Sequence, residues 1–115
     1  MRRGDICLVD LEPVRGSEAN KLRPAVVVSN DHANRSAETF GRGVVTVVPL
    51  TSSLDRLYSF QVLIPAKDSG LRRDSKAQAE QIRSVDVRRI GPPIGRVPLE
   101  LLIELEDAIR RHLQL

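Results

Sequence analysis

Apolar residues in this chain cluster in short β-branched runs through the first two-thirds and recur at helical spacing only near the end. Residues 6–11 form a first apolar run, entered through Gly4 and Asp5. Residues 24–29 (PAVVVS) are rich in β-branched side chains and bounded by turn formers, which predicts a buried strand. Residues 43–50 (GVVTVVPL) repeat the pattern. Phe60, Val62 and Ile64 predict a fourth strand, and Ala77, Ala79 and Ile82 a further, half-exposed one across residues 75–84. From Pro98 onward, Leu102, Leu105, Ile109 and Leu113 return every three or four residues, the period of an amphipathic helix. Pro98 suits its first position, and acids preceding Arg110 and Arg111 follow the helix dipole. A shorter helix over residues 31–39, capped by Asn30, is also expected.

Two polar loops separate these elements. Residues 12–22 are long for a link between neighbouring strands, and residues 51–58 lead out of the third strand. Such loops on a small sheet are either mobile connectors or binding loops. No repeat or boundary interrupts the chain, so its 115 residues predict one domain, 1–115.

Composition narrows the classes. The chain is 41% hydrophobic and 29% charged, as in ordinary globular domains. No apolar run approaches the roughly 20 residues of a membrane span, and MRRGD leads straight into a strand, so neither membrane segment nor signal peptide is expected. A single cysteine, Cys7, fits a reducing, cytoplasmic setting. His32 and His112 lack acidic or histidine partners at ligand spacing, so no metal and no cofactor are expected. The net charge of +3 is modest, but residues 61–90 hold seven cations against four anions, a stretch able to attract phosphates or simply to solvate a surface. Aromatic residues are only 3%, which argues against a stacking platform for nucleic-acid bases.

Two positions can carry chemistry. Arg23 precedes Pro24, which biases its backbone toward an extended conformation and directs its side chain. A guanidinium there can bind a phosphate through two parallel hydrogen bonds, or can be a plain surface group at a strand start. Thr51 follows the third strand directly, and its hydroxyl can donate to a phosphate oxygen or bond its own turn.

Ordered motifs add to this reading. GDI at 4–6, DLEP at 10–13, GSE at 16–18, RPAVVVS at 23–29, VVPLTS at 47–52, EQIRS at 80–84 and Val97-Pro98 before the last helix together resemble the MazF/PemK toxin family along nearly the whole chain. The resemblance implies a mainly β, α+β fold: an SH3-like small β-barrel with a C-terminal amphipathic helix. It implies a homodimeric toxin of a type II toxin–antitoxin system, a sequence-selective, metal-independent endoribonuclease acting on single-stranded RNA. Cleavage by the 2′-hydroxyl would leave 2′,3′-cyclic phosphate and 5′-hydroxyl ends. A cognate antitoxin is the implied partner, with DNA binding by the complex. The family's catalytic arginine and threonine fall on Arg23 and Thr51, and its acids on Glu18 and Glu80, either of which can be the base. Arg15, Asn20, Lys21, Ser52, Lys76 and Gln81 are candidate RNA contacts, Arg15 and Lys21 for phosphates, Asn20 and Gln81 for base edges. Ser17 and Gln78 join them, at positions where some PemK-type members carry histidine and arginine. Cys7 replaces a tryptophan usual in the first strand. The competing readings are a gyrase poison of the CcdB type, which would use the terminal helix, and a non-catalytic small-barrel binding module.

Overall fold

In the computed structural model, which describes residues 1–11 and 22–115, the three strongest apolar runs lie side by side as antiparallel strands: β1 (Asp5–Asp10), β2 (Leu22–Val27) and β3 (Val44–Thr51). Side chains alternate between the faces of a strand, and here both faces are covered. Ile6, Val26, Val48 and Leu50 point into one apolar cluster; Cys7, Val9, Ala25, Val27, Val45 and Val47 point into another. Burial on both sides explains why these strands read as continuous apolar runs rather than as alternating ones.

The first cluster is closed by β4 (Gln61–Ile64), β5 (Ser75–Gln78) and the last helix, α3 (Leu99–Leu113), through Val62, Ile64, Ala77, Leu102, Leu105 and Ala108. The second is closed by α1 (Asp31–Phe40) through Ala37, and by Val85 of β6 (Arg83–Asp86). The Asn30 side chain accepts the Ala33 N–H at 2.8 Å, which caps α1 as its sequence predicts. A short helix, α2 (Ala66–Ser69), follows β4, and β7 (Ile90–Arg96) pairs with β1, giving the order β4-β5-β3-β2-β1-β7 with β6 on β3.

The sheet curls so that β7 returns to the segment after β4. A Cβ placed on Gly95 would lie 2.2 Å from the Ser69 carbonyl oxygen, so only glycine permits this approach. The strand ladder itself does not continue across that gap among the described residues, so the barrel is closed by packing rather than by pairing.

Three expectations are corrected. The strand across residues 75–84 is broken: β5 ends at Gln78, a 3-10 turn (Ala79–Gln81) follows, and β6 begins at Arg83 on the other part of β3. Pro98 sits at the cap position, in extended conformation, one residue before α3. Leu113, expected on the apolar stripe, is exposed at the C-terminal end of α3. β7 was not among the expected strands; its Gly91, Pro92, Pro93 and Gly95 are poor strand formers, and prolines are admissible there because the strand is an edge.

Leu105, fully buried where α3 meets the sheet, is a direct test of the packing. Leu105→Ala is expected to cost about 2–5 kcal/mol in urea unfolding, the range for emptying a core site. The Cys7 thiol is fully buried, and burial, with the Asp5 carboxylate second, pushes it up to about 11. Ellman's reagent at pH 8 is therefore expected to leave native Cys7 unmodified and to label one thiol per chain in denaturant; rapid labelling of the native protein would contradict this packing.

Candidate active site

The β2–β3 ladder runs through Val27↔Val47 and Val26↔Val48 to Ala25↔Pro49 and then stops. The next position in that register pairs Pro24 with Leu50, and Pro24 has no N–H to give. One step further, the same register brings Arg23 opposite Thr51, where the strands are no longer laced together. A cleft of about 670 Å³ opens there, and Arg23, Pro24, Leu50, Thr51 and Ser52 line it. The backbone of each is still paired on its outer side: Arg23 stands opposite Val9 of β1, and Thr51 opposite Lys76 of β5.

The rest of the wall comes from elements not singled out in the sequence. Leu8, Leu71 and Ile94 supply apolar surface, and Gly70, Arg72, Arg73 and Ser75 a polar side. Three arginines and no carboxylate thus border the cleft among the described residues. The Thr51 hydroxyl oxygen accepts the Ser53 N–H at 3.2 Å. This is the turn bond foreseen as the alternative to a chemical role, but it does not consume the hydroxyl proton. It orients the oxygen and leaves the O–H able to donate.

The other nominated residues lie elsewhere. Glu80, in the 3-10 turn, accepts the Gln61 side-chain N–H at 2.7 Å through Oε2, while its Oε1 is buried with no partner among the described residues. Gln61 in turn accepts the Tyr58 N–H at 3.2 Å, so Glu80 anchors the start of β4. Lys76 is buried, and its ammonium donates to the Arg56 carbonyl. With Arg111, which donates to the Ser59 carbonyl at 2.7 Å, it pins the loop leaving Thr51. Gln78 is half-buried in β5 beside Gln61, and Gln81 is exposed on the 3-10 turn; neither lines the cleft. Arg15, Ser17, Glu18, Asn20 and Lys21 lie outside the described residues.

The basic stretch 61–90 also resolves into separate uses. Arg88 is held by Asp86 at 2.8 Å, and that bond draws the exposed Asp86 carboxyl down to about 2. Arg72 and Arg73 alone of the seven cations reach the cleft. A second groove, of about 700 Å³, runs between β4 and α3, but Asp68, Glu100, Glu104 and Asp107 outnumber Arg111 there. By charge, this groove is unfavourable to an anion and the arginine-lined cleft is favourable.

The chain is matched over residues 2–113 by the family model described as PemK-like, MazF-like toxin of type II toxin–antitoxin system. It is 58% identical to endoribonuclease MazF9 of Mycobacterium tuberculosis over 115 residues, covering 100% of this chain and 98% of that one. It is 34% identical to endoribonuclease EndoA of Bacillus subtilis, covering 100% and 96%. Its fold superposes with a TM-score of 0.78 on an endoribonuclease solved in complex with its cognate antitoxin from a mycobacterial species, at 23% identity, over 100% of this chain and 96% of the other. No helix among the described residues is long and apolar enough to cross a membrane. The order of motifs, the curled sheet with its terminal helix and these matches agree: the chain belongs to the PemK/MazF family of type II toxins.

Proposed function

We propose that this chain is the toxin of a type II toxin–antitoxin pair and cuts single-stranded RNA, in the cytoplasm, as a homodimer restrained by a cognate antitoxin. The observation that carries this reading is the convergence of Arg23 and Thr51 on one arginine-rich cleft, where the β2–β3 ladder ends. Family membership supplies the reaction class, and the relatives named endoribonuclease at 58% and 34% identity support it.

The chemistry needs little from the protein beyond charge and position. The ribose 2′-oxygen gives up its proton to a base and attacks the adjacent phosphorus, the bond to the 5′-oxygen breaks, and that oxygen takes a proton from solvent water, so that a 2′,3′-cyclic phosphate and a 5′-hydroxyl result. No external nucleophile is consumed, so no metal is required to activate water. Negative charge builds on the non-bridging oxygens in the transition state. Arg23 offers two parallel N–H donors to them, and its guanidinium remains charged throughout. The Thr51 hydroxyl, already oriented by the Ser53 N–H, donates a third hydrogen bond. A guanidinium releases protons too reluctantly to serve as the acid, so Arg23 stabilises charge rather than moving protons. Glu80 is occupied by Gln61 outside the cleft, and we therefore assign the 2′-hydroxyl proton to Glu18 in preference to it.

The test is incubation of the purified chain with a long single-stranded RNA in EDTA, with the ends mapped. Discrete cuts bearing 5′-hydroxyl ends are expected; intact RNA after treatment with folded, antitoxin-free protein would overturn the reading. Thr51→Val is expected to lower kcat by about 10²- to 10³-fold, the usual cost of one preorganised donor, while Thr51→Ser keeps most of the rate. Arg23→Ala is expected to abolish cleavage under multiple-turnover conditions, leaving only a residual rate at high enzyme, without changing the thermal midpoint, because Arg23 is exposed. Glu18→Gln is expected to slow cleavage more than Glu80→Gln; the reverse order would return the base to Glu80.

A further inference from the structure

Two arginines border the cleft that the proposed chemistry does not use. We propose that Arg72 and Arg73 form a second phosphate-binding subsite, which grips two backbone phosphates beside the scissile bond, one per arginine, and sets the RNA's register across Arg23 and Thr51. This rests on the reading that RNA occupies the cleft.

The first support is the way their segment is held. Helix α2 ends at Gly70, whose φ of +83° turns the chain sharply. Just before it, the buried Ser69 donates its hydroxyl to the Pro65 carbonyl at 2.8 Å. Just after it, Leu71 packs against the larger apolar cluster. Gly95 of β7 lies so near Ser69 that no side chain fits between them. Arg72 and Arg73 therefore extend from backbone anchored on both sides, and gripping a phosphate costs less chain ordering than from a loose loop.

Charge is the second support. The neighbouring carboxylate, Asp74, accepts the Ala66 N–H at 2.8 Å and so caps α2. Among the described residues no ion pair engages Arg72 or Arg73, and both are exposed. Shape agrees: about 670 Å³ is space on the scale of a whole small-molecule site, far more than one phosphodiester group occupies. The cleft wall contains no aromatic ring among the described residues, so backbone gripping must come from guanidinium groups rather than stacking.

The subsite predicts a specific salt signature. Each phosphate neutralised on a single strand contributes about 0.7 to the slope of log K against log salt. With an uncleavable RNA, 2′-O-methylated at the cut site, Arg72→Ala/Arg73→Ala is expected to reduce that slope by about 1.4. Between about 50 and 200 mM salt the wild type then loses about sevenfold more affinity than the variant. On cleavable RNA, KM is expected to rise while kcat stays near the wild-type value, because neither arginine touches the scissile phosphate. Arg72→Lys/Arg73→Lys is expected to restore the slope, since a point charge suffices for a flanking phosphate.

An unchanged slope and affinity in the alanine variant would overturn the subsite, and would leave these arginines to an acidic protein partner. A collapse of kcat at unchanged KM would overturn it too, placing the pair on the reacting phosphate. Failure of the wild-type chain to bind or cut RNA at all would instead remove the reading beneath it, a result that cannot be mistaken for either.

Discussion

The site depends on where the β2–β3 ladder stops. Three residue pairs built from Val, Ala and Pro lock the two strands at the centre of the sheet, and apolar side chains cover them on both faces. Pro24, next in the register, then withholds the N–H group that would continue the lacing. The strands part just beyond this buried section, and Arg23 and Thr51 stand at the parting. A catalytic pair needs this combination: an opening for the substrate, and side chains rooted in backbone that does not yield.

Electrostatics sorts the surface in the same direction. The chain carries only a small net positive charge, and many of its cations are used internally or neutralised. Arg3 pairs with Glu106 at 2.6 Å, Arg96 with Asp5 at 2.7 Å, Arg88 with Asp86, and Lys76 meets a backbone carbonyl. What is left around the cleft is positive, while the groove along α3 is acidic. The distribution of charge, rather than its total, therefore sets where a phosphate polymer settles.

The strong strands, the terminal helix and the Asn30 cap were legible in the chain because each is a local pattern with a local cause. The break at Ala79–Gln81 and the strand β7 were not, for opposite reasons. The alternation from Lys76 to Ile82 continues through a turn that only tertiary packing imposes, and the prolines and glycines of β7 conceal a strand tolerated at an edge. Arg23 and Thr51 were visible through motif order and strand ends. Arg72 and Arg73 were visible only as charge: Ser69-Gly70 signals a turn locally, but nothing local in residues 66–74 shows that this turn carries them to the cleft. Glu80 shows the converse: a residue prominent by motif whose carboxylate is spent on Gln61.

The central claim is that Arg23 and Thr51 act together on one phosphate, and a double-mutant cycle on RNA cleavage tests it most directly. Rates would be measured for the wild type, Arg23→Ala, Thr51→Val and the double variant, with the lowest rates read in single-turnover reactions at high enzyme. Groups that work as a unit lose most of their effect with the first removal. The double variant is therefore expected to fall within about tenfold of the slower single variant. A loss equal to the product of the two single losses would show that the residues act independently, and would contradict the account.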